Sequence, residues 1–204
     1  MTDVVHFDKK EPEVKDYSLT GSSTNQAIKS GLVAAEWYHS NVSRKTMKSL
    51  MQRRDSPAII DTLIWVILHI VFAWGGIYFW GSWSAIPFWL AYGVIAGSVC
   101  DSRWHECGHG TAFKTRWTND LVYHFASFQI MRNPINWRWS HTRHHTDTII
   151  VGRDPEIVWM HPINLTLKFL SFFGIFDAYH SLKGLCSNAI GILSQDEQEY
   201  IPTS

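Results

Sequence analysis

The chain has 204 residues, no formal net charge, and polar ends around a strongly apolar middle. Its length suits one ordinary domain, and the balanced charge gives no support for a nucleic-acid partner. Three cysteines without a C-x-x-C pair predict reduced thiols and exclude a disulfide framework. Eleven tryptophans, many placed where apolar and polar runs meet, are typical of membrane interfaces. Composition therefore favours a membrane protein.

Residues 1–42 are predicted to be a polar N-terminal tail, because residues 1–30 show no hydrophobic periodicity. A basic amphipathic helix is expected next, with Ser43 as its N-cap. Positive charge beside the first apolar run predicts that this end faces the cytoplasm. The basic residues concerned are Arg44, Lys45, Lys48, Arg53 and Arg54.

Two apolar runs predict two spanning helices, at about 58–80 and 83–100. As a helix the first run is about 34 Å long, which exceeds the roughly 30 Å of a hydrocarbon layer. Gly81 and Ser82 predict a tight turn between the runs, so the pair should form a hairpin through the bilayer. Lys and Arg flank both near ends, and both ends are therefore expected to be cytoplasmic.

The remaining apolar stretches are expected to lie along the membrane surface. Residues 121–131 are too short to span and should end before Pro134, and residues 163–193 carry several charges and read as two surface helices. His69, in the middle of the first run, is interpreted as a neutral, hydrogen-bonded packing residue. The predicted class is all-α: a membrane hairpin with cytoplasmic and interfacial helices in a domain over residues 43–204.

Histidines mark the candidate chemistry. His105 and His109 flank Glu106 in an H-E-x-x-H motif, and on a helix residues four apart share one face. Alone this motif is weak, since a chain of this composition contains an H-x-x-x-H by chance roughly every other time. Cys107 within it is interpreted as a small packing residue, because thiolates favour zinc and iron–sulfur sites.

The second motif is rarer and strengthens the first. His141, His144 and His145 project together on a helix at spacings of three and four. We refer to His105 and His109 as the first box and to these three histidines as the second box. Together they predict a metal site.

The wider stretches HECGHGTAF and WRWSHTRHHTDT resemble the membrane fatty acid desaturase and hydroxylase family, over roughly residues 50–160. The sequence of these stretches is also similar to a bacterial branch of that family that includes hydrocarbon oxygenases and the rhizopine-catabolism oxygenase. The resemblance implies a non-haem di-iron oxygenase of lipid metabolism. Such an enzyme uses dioxygen to insert a double bond or a hydroxyl into an acyl or aliphatic chain.

The resemblance also implies a site. Two irons would be held by the histidines of the two boxes, and imidazole is a suitable iron ligand. Glu106 and Asp147 would accept hydrogen bonds from ring N–H groups and orient the rings. An external electron donor of the ferredoxin or cytochrome b5 type is implied, with the bilayer and an acyl substrate as further partners.

One departure from the family pattern matters. Members carry a further H-x-x-H-H box downstream, whereas nothing like it occurs before Ser204. His161 and His180 are spare histidines that we interpret as structural. The expectation is therefore an incomplete desaturase-like domain, whose final polar stretch Ser194–Glu199 reads as a connector.

Two alternatives stay open at this stage. The first box also matches the zinc peptidase signature, with Glu106 as general base, although the second box has no role in a single-zinc site. A non-catalytic membrane fragment is the other alternative. Desaturation and hydroxylation share the same ligands, so the sequence does not distinguish these two reactions. It also does not specify the substrate's chain length, head group or regiochemistry, the electron donor, or the oligomeric state.

Overall fold

The computed structural model describes residue 16, residues 18–34, residue 36, residues 38–157 and residues 163–202. Every regular element in these ranges is helical, which confirms the all-α class. The helices are α1 Ser22–Lys29, α2 Arg44–Leu50, α3 Asp55–Tyr78, α4 Ala85–Val94, α5 Cys100–Gly108, α6 Arg116–Gln129, α7 Pro134–Asp147, α8 Leu165–Ser171, α9 Ile175–Ala189 and α10 Gln195–Tyr200.

The chain divides into two compact units. The first unit contains Met1–Glu36, Trp139–His180 and Gly191–Ser204, and the second contains Trp37–Arg138 and Ser181–Ile190. Helices α3 to α6 lie wholly in the second unit. The division falls within α7, so the first part of that helix belongs to the second unit and its later part to the first.

In the second unit, α3 and α4 pack closely because glycines of α3 face aromatic rings of α4. A Cβ added at Gly75 would lie 2.2 Å from the Phe88 ring, and one at Gly76 would lie 2.5 Å from the Trp89 ring. Gly81 has a φ of 81° in the connecting turn, as the sequence predicts for this position. The two helices therefore pack against each other where the glycines of α3 contact the aromatic rings of α4.

The outer faces of these helices are apolar. Along α3, large apolar side chains at helical spacing stay more than half exposed, at Ile60, Leu63, Ile67, Ile70 and Trp74. The stretches Arg44–Tyr78 and Ala85–Gly108 are both long and apolar enough to cross a membrane. Because an aqueous protein rarely leaves so large a continuous apolar surface, these faces indicate contact with lipid.

The second apolar helix extends further than the sequence predicts. After α4 the chain forms a π-helical turn, Ile95–Val99, and continues directly into α5, so the expected end near residue 100 is wrong. Polar residues continue this helix because they are paired. Arg103 is mostly buried and lies 3.4 Å from Asp61 of α3 and 3.5 Å from Glu106.

Helices α5 and α6 form the buried core of the second unit. Cys100, Trp104 and Cys107 from α5 contact Tyr123 and Ala126 from α6, and all five are almost inaccessible to solvent. The cysteines of the chain are free, as predicted. Cys107 is 1% exposed in this core, which confirms its role as a small packing residue.

Helix boundaries follow local signals. The Ser43 side chain accepts a hydrogen bond from the Thr46 amide at 3.2 Å, which confirms the predicted cap of α2. Pro134 not only follows α6 but also begins α7, because its missing N–H and fixed φ suit a first helical residue. Asn133 caps the same start, since its side chain accepts from the Ile135 amide at 3.0 Å.

The first unit holds an element that the sequence did not predict. Residues 22–29, expected as part of an irregular tail, form α1. The Thr24 hydroxyl donates to the carbonyl oxygen of Gly152, and Ala27 is buried beside it. Tertiary contact with the chain after α7 therefore stabilises a short helix that has few apolar residues of its own.

Residues 163–193 contain two helices, α8 and α9, as predicted. The final polar stretch, expected as a connector, forms α10 instead. Its start is a capping box, in which the Ser194 side chain accepts from the Glu197 amide while the Glu197 carboxylate accepts from the Ser194 amide at 2.7 Å.

Candidate metal centre

The first box lies on the last turn of α5, with His109 as its C-cap. The rings of His105 and His109 are 4.8 Å apart between centroids and almost perpendicular. Their ligand nitrogens lie within 4.8 Å of each other, close enough for both to approach one metal ion. The predicted sharing of one helix face by these histidines is thus observed.

Aromatic packing in the second unit holds this end of α5. The Trp137 ring of α7 lies 6.1 Å from the His105 ring and also contacts Trp104. A Cβ at Gly108 would lie 2.8 Å from Trp137, so only glycine allows α7 to approach here. The start of α7 is therefore fixed against the first box.

The second box lies in the later half of α7. Nε2 of His145 and Nε2 of His141 are 3.1 Å apart, and the ring centroids are separated by 4.6 Å. His144 stacks on His141 at 5.5 Å. The three predicted histidines thus form one cluster in the first unit, and this cluster can bind a metal ion.

Two carboxylates that the sequence motifs did not indicate support this cluster. His141 Nδ1 lies 2.7 Å from Glu156, and His144 Nδ1 lies 2.9 Å from Asp154. Asp154 is 2% exposed and also accepts from the amides of Ile149 and Glu156, so the turn after α7 holds it rigidly. The sequence feature that could have predicted this support is a pair of acidic residues within about a dozen positions after the box.

His144 differs from its neighbours in orientation. Its Nδ1 faces Asp154, and its Nε2 lies 3.8 Å from Glu156. The ligand nitrogens that group closely in this box are those of His141 and His145. The assignment of His144 as a metal ligand therefore stays a prediction.

The carboxylate of Asp147 lies between two arginines. Its carboxylate is fully buried, and Oδ2 lies 2.6 Å from Arg143 Nε and accepts a hydrogen bond from Arg153 Nε at 3.1 Å. Among the residues that the structure describes, Oδ1 has no hydrogen-bond partner. Asp147 lies one turn after Arg143 on α7 and pairs with this arginine, and its predicted role as an acceptor for a ring N–H stays a prediction.

Glu106 lies on the exposed side of α5. Its side chain is half exposed and pairs with Arg103 at 3.5 Å. Its predicted role as an acceptor for a ring N–H stays a prediction.

The other histidines have structural surroundings. His69 is buried, its Nδ1 lies 3.2 Å from the Trp65 carbonyl oxygen, and its ring packs edge-on against Tyr92. This confirms the interpretation of His69 as a packing residue. His180 is exposed and contacts Phe176 at 4.3 Å, whereas His161 lies outside the described residues.

A buried tyrosine joins α6 to the start of α7. The Tyr123 hydroxyl donates to the Pro134 carbonyl oxygen at 2.6 Å. Burial raises the pKa of Tyr123 to about 12, so the phenol stays protonated and keeps its donor at physiological pH. This bond fixes the origin of the helix that carries the second box.

Comparison with known proteins identifies the class. The family model described as fatty acid desaturase matches residues 82–185, about half of the chain, including both boxes. The acyl-lipid (9+3)-(E)-desaturase of Dimorphotheca sinuata is 36% identical over 73 residues, which are 34% of this chain and 19% of that protein. No solved structure matches the chain significantly.

Two bacterial relatives extend the similarity. The sn-1 oleoyl-lipid 12-desaturase of Anabaena variabilis is 28% identical over 145 residues, covering 68% of this chain and 38% of that protein. The sn-1 acyl-lipid omega-3 desaturase (ferredoxin) of Nostoc sp. (strain 36) is 35% identical over 74 residues, 36% of this chain and 20% of that protein. The matches thus span roughly a fifth to two fifths of these relatives.

The apolar helices and the histidine cluster define a helical membrane protein with metal-binding capacity. The family match then identifies the chain as a member of the fatty acid desaturase family, a family of oxidoreductases.

Proposed function

We propose that the two boxes hold one non-haem di-iron centre that oxidises an acyl chain with dioxygen. The continuity of α7 supports this proposal. Trp137 lies beside His105, and His141, His144 and His145 follow it by four, seven and eight residues along the same helix. These spacings give all four side chains one face, so the face that contacts the first box continues into the second.

The observation that carries the proposal is the convergence of His141 and His145. Two imidazole nitrogens that share one metal ion, each about 2.0–2.1 Å from it, lie about 3 Å apart. The observed Nε2 separation is 3.1 Å. Glu156 occupies the Nδ1 side of His141, which leaves Nε2 as the ligand atom and holds the ring in that orientation. The donor set therefore fits iron.

The irons would be held by His105, His109, His141, His144 and His145, with further ligands expected from outside this set. When bound, the metal centre supplies an oxidant strong enough to break an unactivated C–H bond, which no side chain does alone. The chain's own residues position this chemistry. Glu156 and Asp154 orient rings of the second box, and Trp137 and Gly108 fix the first box against α7.

The substrate and the reductant complete the proposal. The apolar faces of α3 and α4 support a position in the bilayer. Both ends of the helical hairpin would lie on the cytoplasmic side. An acyl lipid is the proposed substrate, and the product is a desaturated or hydroxylated chain. An external donor of the ferredoxin or cytochrome b5 type would supply electrons, and one relative is named as a ferredoxin enzyme.

The continuity of α5 with the apolar helix bears on the zinc peptidase alternative. The first box lies on the continuous helix Ala85–Gly108, past the predicted end of the second spanning helix at about residue 100. The second box and the family match nevertheless favour the desaturase.

The deciding measurement is the iron and zinc content of the protein purified from membranes under anaerobic, reducing conditions. We expect iron in the unaltered protein, loss of that iron in His145→Ala and His144→Ala, and loss of product formation in the full-length enzyme. His180→Ala is the matched control, because this exposed histidine lies outside both boxes. Zinc that survives substitution of the second box would refute the proposal.

A further inference from the structure

A polar cavity of about 350 Å³ lies beside the first box, within the second unit. Gly108, His109 and Gly110 line one side of it, and the first turn of α6 lines another. Small-molecule sites have volumes of roughly 300–1,000 Å³, so the cavity is large enough for a small head group.

The charge of this cavity is positive. Arg53, Arg116 and Arg138 contribute guanidinium groups, whereas Asp120, at 3.0 Å from Arg138, is the carboxylate among the described lining residues. The lining thus has an excess of two positive charges when His109 is neutral. Guanidinium groups favour phosphate because their planar N–H donors match its oxygens.

The start of α6 adds to this preference. Its N-cap, Thr115, makes no side-chain cap, because its hydroxyl donates to Asp55 at 2.8 Å. Asp55 also accepts from the Thr115 amide at 2.9 Å, so one carboxylate already lies at this N-cap. The positive end of the helix dipole adds to the charge of the arginines in the cavity. Arg116, the first residue of this helix, lines the cavity, so the helix dipole and the arginines act at one place.

Position decides the source of the anion. Arg53 lies two residues before the start of α3, and Gly108 ends α5, so the cavity lies at the same end of both apolar helices. That is the depth at which lipid phosphates lie when such helices cross a bilayer. We propose that this cavity binds the phosphate of an anionic membrane lipid. The further step, that this lipid presents its acyl chain to the metal centre, rests on the proposed function.

The test uses variants matched in charge and location. Arg53→Gln with Arg116→Gln removes two lining charges, whereas Arg54→Gln with Lys114→Gln removes two charges from the same segments outside the cavity. Binding of dioleoyl phosphatidylglycerol and dioleoyl phosphatidylcholine to the detergent-purified protein is measured by native mass spectrometry. Circular dichroism checks that each variant is folded.

We expect the unaltered protein to prefer phosphatidylglycerol, and the cavity variant to lose about tenfold or more of that affinity. The matched variant should stay within about twofold. Equal losses in both variants would show diffuse surface attraction and overturn the site. The same conclusion follows if no preference for the anionic lipid is seen.

Two further measurements distinguish an anionic lipid from other ligands of the cavity. If inorganic phosphate binds as tightly as phosphatidylglycerol, the ligand is a soluble phosphate and the lipid assignment fails. If the cavity variant keeps lipid binding but binds an acidic ferredoxin more weakly, the cavity is a protein-docking site instead. These assays need neither metal nor turnover, so their failure is distinguishable from failure of the di-iron proposal.

Discussion

The two histidine boxes are held in different ways. The first box ends an apolar helix and is fixed by aromatic packing, with Trp137 beside His105 and no room for a side chain at Gly108. The second box is held by carboxylates of the turn that follows α7, Glu156 on His141 and Asp154 on His144. Packing positions a helix, whereas hydrogen bonds also choose the ring nitrogen that is left to bind a metal.

The largest expected effect tests this difference directly. Asp154→Asn removes the negative acceptor for His144 while keeping a similar shape, and we expect metal affinity to fall about 10–100-fold. Titration of the apoprotein with Fe²⁺ or Co²⁺ measures the change. Asp177→Asn serves as the control, because Asp177 is an exposed carboxylate of the first unit that lies outside both boxes.

The control variant should lose no more than about threefold in metal affinity. If Asp177→Asn instead abolishes metal binding while Asp154→Asn does not, the contrast between the boxes is wrong. A loss of activity in Glu106→Gln with metal retained would revive the peptidase alternative.

The next effect concerns the support behind the second box. Gly152 has a φ of 78°, and a Cβ there would lie 2.5 Å from the Thr24 amide nitrogen of α1. Gly152→Ala should therefore lower the free energy of unfolding of the first unit by about 1–3 kcal/mol. Hydrogen exchange of the α1 amides is the sensitive measurement.

Gly31→Ala is the matched control for this substitution. Gly31 has a similar φ of 72° but open space around it, so it isolates the cost of backbone strain from that of the clash. Equal protection of α1 in the two variants would mean that α1 does not depend on close contact with Gly152.

A smaller effect is expected at the origin of α7. Tyr123→Phe removes the hydrogen bond to the Pro134 carbonyl oxygen and should cost about 1 kcal/mol in unfolding free energy. Chemical denaturation in detergent measures it. An unchanged midpoint would show that this bond does not tie α6 to α7.

The smallest effect is a dependence on alkaline pH. Burial raises the pKa of Tyr123 from its ordinary 10 to about 12, so the folded state favours the protonated phenol. The stability from this group is fully present below pH 10 and is lost progressively as pH rises from 10 to about 12. Tyr123→Phe should lose less stability than the unaltered protein over this interval, and identical losses would contradict the assignment.

The sequence predicted what depends on local pattern. The apolar runs predicted the two long helices, because a helix that crosses the hydrocarbon layer needs a long uncharged sequence. Spacings of three and four residues placed the histidines of each box on one helix face, and the Ser43 cap was visible as a serine before a helical pattern. Helix ends were less predictable, as at residue 100, where Arg103 pairs with Asp61 of a distant helix.

The sequence by itself therefore determined the class of the protein, its apolar helices and the residue types of its metal site, because these follow from composition and from helical periodicity. Only the tertiary structure decided which carboxylates serve the histidines. Asp147, nearest to the second box along the chain, pairs with Arg143 and Arg153, whereas Asp154 and Glu156 return to the rings through a turn. Hydrogen bonds depend on distance in space, and a turn changes that distance without leaving a periodic signal.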